Sequence, residues 1–117
     1  MTTINSCKKI TLAEALDRLP GPQDELSVSV FEHGSLVVKL YTPRANDDQT
    51  PHSRDEIYVV ARGGGEFVCG GNSQPIAPHD VLFAGAGVEH RFENFTDDFA
   101  VWVFFYGPEG GEADQNY

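Results

Sequence analysis

The amino-acid sequence predicts an all-β protein, an antiparallel sandwich or barrel with one short helix near its N-terminus. Twelve glycines and seven prolines are many for 117 residues, and both residue types interrupt helices. Segments with the period of a strand recur between turn signals at intervals of about 8–12 residues, which is typical of sandwiches and barrels. The last of these segments, 99–106, is apolar on both faces.

The helix is predicted over 11–19. Thr11 and Glu14 have the spacing of a capping box, which marks the start of a helix. Apolar residues follow at helical intervals, namely Leu12, Ala15, Leu16 and Leu19. Pro20 and Pro22 end the segment, because proline cannot donate the backbone hydrogen bond that a helix interior requires.

Eight strands are predicted after the helix. In chain order they span 26–32, 35–42, 56–62, 66–69, 74–77, 81–84, 88–94 and 99–106. His33 and Gly34 form a two-residue turn that joins the first two strands as a hairpin. Because the last strand is apolar on both faces, one face must line the barrel interior and the other needs a second cover. The helix or a partner subunit could supply that cover.

These elements form one domain: a polar lead-in and helix over 1–25, a barrel over 26–106 and a flexible acidic tail over 107–117. The 18 acidic and 8 basic residues give a net charge of −10, which argues against nucleic acid and anionic membranes as partners. No segment reaches the roughly 20 apolar residues of a membrane span, and the N-terminus lacks the apolar segment of a signal peptide. Cys7 and Cys69 lie far apart in the sequence, so we expect no disulfide framework. Together with the lack of an export signal, this predicts a cytoplasmic protein.

The histidines fall into two groups. His33 and His79 lie in turns, where a structural role is the simpler interpretation. His52 precedes Glu56 by four residues at the entry to one strand, and His90 lies on another strand. Two imidazoles and a carboxylate on neighbouring strands can bind a divalent metal ion and leave positions open for substrate. By spacing alone, they could equally form a structural ion pair.

Segments 50–63 and 79–94 resemble the two motifs of the cupin superfamily. The first motif is His-x-His, three or four residues, Glu, six residues and Gly, and this sequence has His52, Glu56 and Gly63 in that register. The second motif ends in Gly, two residues, His, three residues and Asn. Gly87, His90 and Asn94 match it fully. The chain departs from the pattern at Thr50, His79 and Gly85, which stand where the motifs have His, Gly and Pro.

The resemblance implies a small single-domain, cupin 2-like conserved barrel, a jelly-roll-like double-stranded β-helix that often forms homodimers. It also implies a divalent transition metal (Fe, Mn, Ni or Zn) held by His52, Glu56 and His90. Thr50 is a poor substitute for the first histidine, because a hydroxyl binds such metals more weakly than imidazole does. We take Gln49, just upstream, as the fourth donor, with Asp47 and Asp48 as alternatives.

Strand alternation outlines the cavity. If Glu56 points inward, so do Tyr58 and Val60. If His90 points inward, so do Val88, Phe92 and Asn94. On the last strand, either the set containing Phe99 or the set containing Trp102 faces the cavity, and the sequence does not choose between them. The candidate substrate contacts are Thr50, Phe92, Trp102 and Phe104. Tyr58 is the candidate catalytic residue that moves protons.

Two functions fit this site. The first is a metal-dependent enzyme of the dioxygenase, isomerase or lyase type that acts on a small organic substrate. The second is a non-catalytic cupin that binds a small molecule or sugar, with a structural metal or none. A convincing acid–base residue beside the metal would favour the enzyme. The fold alone does not decide, because one fold hosts many reactions.

Overall fold

The computed structural model describes residues 7–113, which form one short helix and eight strands. The helix is α1 (Leu12–Asp17), and the strands are β1 (Ser27–His33), β2 (Leu36–Tyr41), β3 (Asp55–Arg62), β4 (Gly65–Cys69), β5 (Asn72–Ile76), β6 (Val81–Ala84), β7 (His90–Glu93) and β8 (Ala100–Tyr106). The predicted all-β fold is confirmed, and every predicted strand is present within two residues of its expected ends. The first six residues of the predicted lead-in and residues 114–117 of the predicted tail lie outside the described range.

The strands form two antiparallel sheets that face each other. The larger sheet has the order β1-β2-β8-β3-β6 and the smaller one has the order β5-β4-β7. β8 lies at the centre of the larger sheet because it is the strand that is apolar on both faces. The core between the sheets consists of buried apolar residues, namely Tyr58, Val60, Phe67, Ile76, Ala84, Phe92, Phe99, Val101 and Val103.

Helix α1 covers part of the outer face of the larger sheet. Thr11 caps it, and its Oγ1 accepts a hydrogen bond from the Glu14 N–H at 3.1 Å. Ala15 is fully buried in a second apolar cluster that includes Ala100 and Trp102 of β8. The helix therefore supplies the second cover for the part of the last strand around Ala100 and Trp102. It is shorter than predicted, because Leu19 precedes a proline and the residue before proline avoids the helical conformation.

Two details of the strands differ from the prediction. The first hairpin turns at Gly34, which has φ +59°, and the next residue, so His33 is still part of β1. β7 begins at His90 and ends at Glu93, so alternation does not extend to Val88 and Asn94. Both of these side chains are exposed, and Asn94 has φ +52°, which turns the chain out of the strand. The expectation that Val88 and Asn94 point inward is wrong.

The C-terminal segment is fixed where it is described. Gly110 N–H donates to the carbonyl of Ser53 at 2.7 Å, and Gly107 N–H donates to Ser35 Oγ at 3.2 Å. Residues of the segment 107–113 therefore contact the barrel through backbone hydrogen bonds. Among residues 7–113, no helix has the length and apolar character needed to cross a membrane. Cys7 and Cys69 are free thiols.

Asp55, the first residue of β3, joins this segment to the loop before β7. Glu112 N–H donates to its Oδ2 at 2.8 Å, and Ala86 N–H donates to its Oδ1 at 2.9 Å. These two backbone donors lower the pKa of the Asp55 carboxyl below its ordinary value of 3.8, because they stabilise the charged form.

We expect Asp55→Asn to lower the free energy of unfolding near neutral pH, because an amide offers one oxygen where the carboxylate offers two. The folded-state pKa lies below the unfolded one. The charged carboxylate therefore stabilises the fold fully above about pH 4 and loses this effect as the pH falls through the folded-state pKa. Urea denaturation of both proteins between about pH 7 and pH 3 should show the difference shrinking on acidification. A difference that stays constant would contradict this role.

Candidate metal centre

Three side chains from the two sequence motifs meet inside the barrel. His52, Glu56 and His90 each offer a ligand atom, and these atoms lie within 4.8 Å of one another. Glu56 Oε1 is 2.8 Å from His90 Nε2 and 3.9 Å from His52 Nε2. The side chains of Glu56 and His90 are 1% exposed, whereas that of His52 is 38% exposed. His52 is thus the side of the cluster that a ligand can reach.

The fold holds these residues from two directions. Glu56 is the second residue of β3 in the larger sheet, and His90 is the first residue of β7 in the smaller one. His52 lies in the loop before β3, where its backbone carbonyl accepts a hydrogen bond from Gly87 N–H at 2.8 Å. Gly87 has φ +77°, a conformation that favours glycine. Gly87 of the second motif therefore fixes the loop that carries His52.

Hydrogen bonds orient the His90 ring. Its Nδ1 is 2.9 Å from the carbonyl oxygen of Val88, which can only accept, so Nδ1 carries the hydrogen. Nε2 is thereby directed toward Glu56. Burial opposes the charged imidazolium, but the hydrogen bond to Glu56 and the bond to Val88 outweigh it, so the pKa of His90 is raised. In the neutral ring, Nε2 presents a lone pair, as in metal-binding histidines whose other nitrogen donates to a carbonyl.

The second oxygen of Glu56 provides a test of whether a metal fits. Glu56 Oε2 is buried and has no hydrogen-bond partner within the described range 7–113. A buried carboxylate oxygen without a donor is costly, and such atoms are rare in folded proteins. A cation bound between Glu56 and the two imidazoles would compensate it. Imidazole and carboxylate ligands suit divalent first-row metals, so the residues present fit a transition metal ion.

Tyr58 connects this centre to the loop before β3. Its hydroxyl is 3.0 Å from His90 Nε2 and donates to Gln49 Oε1 at 3.1 Å, and Gln49 Nε2 donates to Asp47 Oδ2 at 2.7 Å. Gln49, our predicted fourth metal donor, therefore uses its amide oxygen on Tyr58. Burial, followed by the negative charge of Glu56, raises the pKa of Tyr58. Tyr58 stays protonated and can act as a hydrogen-bond donor rather than as a phenolate base.

Asp47 has a structural role that the sequence did not reveal. It is buried, and it accepts hydrogen bonds from the Tyr41 hydroxyl, from Phe92 N–H at 2.8 Å and from the Gln49 amide. The carboxylate therefore ties the loop to β2 and β7 and is not free to bind a metal. Asp48, its neighbour, is exposed. No sequence signal separates the two residues, because only the tertiary contacts differ.

A cavity of about 280 Å³ opens beside the centre. Its walls include Lys39, Tyr41, Gln49, His52, Glu56, Tyr58, Val103 and Phe105. Phe105 packs edge-on against His52, with ring centroids 5.1 Å apart. The apolar part of the wall thus comes from the odd-numbered residues of β8, the set that contains Phe99 in the sequence pattern.

The predicted substrate contacts lie elsewhere. Trp102 packs against helix α1, and Phe104 lies on the same outer face, because alternation directs Val103 and Phe105 inward. Phe92 is buried in the core with its ring 5.0 Å from that of Tyr58. Thr50 is exposed in the loop and does not line the cavity. The assignment of these four residues to the cavity wall is corrected.

The comparison with known families agrees with this geometry. Residues 38–106, more than half of the chain, match the family model described as Cupin domain. The chain belongs to the cupin family. An uncharacterized protein of Streptomyces coelicolor is 36% identical to this cupin over 77 residues, which cover 64% of this chain and 73% of that protein.

Solved structures show the same fold. A Cupin 2 conserved barrel domain protein from Salinispora arenicola superposes with a TM-score of 0.59 at 19% identity, over 69% of this chain and 74% of that one. KdgF from Halomonas sp. superposes with a TM-score of 0.60 at 21% identity, over 70% of this chain and 80% of that one. At these identities, the similarity establishes the barrel and leaves the ligand open.

We expect Asp47→Ala to lower the free energy of unfolding by roughly 3 kcal/mol, because it leaves the buried Phe92 N–H and the Tyr41 hydroxyl without their acceptor. Asp48→Ala is the matched control. It removes the same charge from the adjacent, exposed position and should change stability by less than about 0.5 kcal/mol. Urea denaturation of both variants checks the difference. Equal effects would show that Asp47 does not anchor the loop.

Proposed function

We propose that this cupin holds one divalent transition metal ion at His52, Glu56 and His90 and acts as a metal-dependent enzyme on a small organic molecule in the adjacent cavity. The observation that carries the proposal is the buried Glu56 Oε2, which has no partner and lies beside two imidazoles. Glu56 contacts His90 Nε2 through its other oxygen. A cation bound here would take the Nε2 lone pair in place of that contact and would also neutralise the unpaired oxygen.

The donor set indicates which metals and reactions to consider. Two histidines and one carboxylate with open positions are the ligands that non-haem Fe(II) oxygenases use, so iron is the first ion to test, followed by Mn, Ni and Zn. When bound, such an ion polarises a carbonyl or enolate oxygen, or binds O₂ if it is Fe(II). The reaction classes that fit are therefore dioxygenase, isomerase and lyase.

The chain's own residues supply orientation and exclusion of water. His52 is the partly exposed member of the cluster and faces the cavity, while Glu56 and His90 are shielded. Val103 and Phe105 form an apolar wall that keeps water from one side of a bound molecule. Tyr58, held as a neutral phenol by burial, lines the cavity and donates its hydrogen bond to Gln49, so its hydroxyl can hydrogen-bond a substrate oxygen only by giving up that bond.

A non-catalytic cupin that binds a small molecule or sugar is the alternative. One observation favours it: the Glu56–His90 contact at 2.8 Å is a stable pairing that requires no metal.

Mass spectrometry of the molecules released on denaturing the purified protein can distinguish the enzyme from the binding protein. A compound that is released unchanged after incubation with metal-loaded protein in air and without air supports the binding role. Its conversion supports the enzyme.

We also propose that the protein is a homodimer that pairs through the outer face of its larger sheet. Five apolar side chains form one row across all five strands on that face: Phe31, Val38, Phe104, Ile57 and Phe83. Helix α1 packs on the adjacent row, around Leu40 and Trp102. In the row itself Val38 is buried, whereas Phe31, Ile57 and Phe104 keep part of their surface exposed. Phe83 is 55% exposed at the end of the row. A second copy would bury such a surface, which monomers seldom present to water.

The metal proposal predicts close to one ion per chain after reconstitution, measured by elemental analysis. Glu56→Gln keeps the side-chain shape but removes the charge, and His90→Ala removes one imidazole. Each should weaken binding by at least the roughly 10–100-fold that loss of an outer-shell partner causes. His33→Ala, which removes an exposed histidine far from the cluster in sequence, is the matched control and should bind metal like wild type. Equal, near-background metal in wild type and His90→Ala would refute the proposal.

The dimer proposal predicts that wild type sediments with the mass of two chains at micromolar concentration. Phe83→Asp puts a charge into the apolar row and should shift the protein to the mass of one chain. Ser73→Asp adds the same charge at an exposed position of β5, in the other sheet, and should leave the dimer intact. A monomeric wild type, or dissociation by both variants alike, would count against this interface.

A further inference from the structure

Lys39 is a basic residue on the inner face of the larger sheet. It lies on β2 opposite Val103 of β8, whose side chain faces the core, and it lines the cavity beside the metal centre. Its Nζ is 6.0 Å from the centre of the Phe105 ring. The same ring packs against His52, with ring centroids 5.1 Å apart. Phe105 therefore neighbours both the ammonium group and one member of the cluster.

This ammonium group has no carboxylate partner among the residues that the structure describes. The three ion pairs within 4.0 Å in residues 7–113 involve other side chains. In residues 7–113, Arg91 is the one Lys or Arg side chain with a carboxylate within 4.0 Å, so what distinguishes Lys39 from the other cations is its position in the cavity wall. Lys39 is half-buried, so part of its hydration is lost. A cation placed in this way can bind an anion that enters the cavity.

Two other polar groups of the wall are already engaged. The Tyr41 hydroxyl donates to Asp47, and the Gln49 amide bonds to Tyr58 and Asp47. Asp48 also lines the cavity and carries the opposite charge, but it is exposed on the loop and its field is screened by water. Lys39 is thus the charged donor that remains for a ligand on the wall away from the metal cluster.

We infer that the molecule bound in this cavity is a small organic acid whose carboxylate pairs with Lys39 while its other end reaches the His52–Glu56–His90 cluster. The inference rests on the proposed function for the second contact and deepens it by naming the substrate class. The cavity volume of about 280 Å³ suits a molecule with few heavy atoms. Phe105, between the two contacts, packs against its carbon skeleton. Lys39 then determines specificity for anionic over neutral ligands.

Isothermal titration calorimetry with glutarate and its neutral counterpart glutaramide tests this inference. The two probes have the same number of heavy atoms and differ in charge. Wild type should bind glutarate at least about tenfold more tightly than glutaramide, since hydrogen bonds between charged groups are the stronger ones. Lys39→Met keeps the length of the side chain without its charge and should abolish the preference. Lys39→Arg keeps the charge and should retain most of it.

Metal content is measured in the same samples, so that the two proposals can fail separately. A wild type without metal overturns the proposed function, yet the dependence of the glutarate preference on Lys39 can still be read from the titrations. A preference that survives unchanged in Lys39→Met belongs to the metal or another group and overturns the role of Lys39. Equal binding of the two probes to wild type, or no binding of glutarate by the folded protein, overturns the inference as well.

Discussion

The buried contact between Glu56 and His90 is the interaction on which the rest of the site depends. Glu56 belongs to the larger sheet and His90 to the smaller one, and the two sheets otherwise meet through apolar side chains. A carboxylate and an imidazole in such a core are costly unless their remaining atoms are bonded. Val88 satisfies one nitrogen of His90, and Tyr58 reaches the other. Only the second oxygen of Glu56 is left over.

The loop that carries His52 is also held in place by a buried carboxylate that needs hydrogen-bond partners. Asp47 is a second buried carboxylate, and it accepts hydrogen bonds from β2, from β7 and from the loop itself. Gln49 and Tyr58 connect Asp47 to the centre by successive hydrogen bonds, and each donor in this series has a defined acceptor. Such fully bonded networks specify one arrangement of the side chains. The site is thereby organised before any ligand binds, which reduces the free energy lost to ordering on binding.

Charge is distributed differently outside and inside the barrel. The net charge of −10 is carried mostly by turns, the helix and the C-terminal segment, where it favours solubility and disfavours polyanionic partners. The cavity, by contrast, combines a lysine with a cluster that suits a metal cation. Glu56 and Asp48 line the same cavity, so positive charge there is confined to Lys39 and to any cation that the cluster holds.

The sequence by itself determined the all-β class, the order of the strands along the chain, the family and the three residues of the candidate metal cluster. Period-two alternation and turn residues are local properties, and the motif spacing places His52, Glu56 and His90 in register. Only the tertiary structure decided which face of β8 lines the cavity, because both faces are apolar and helix α1 covers the one that contains Trp102. It likewise showed that Asp47 is buried and hydrogen-bonded whereas Asp48 is exposed, although the two side chains are chemically identical.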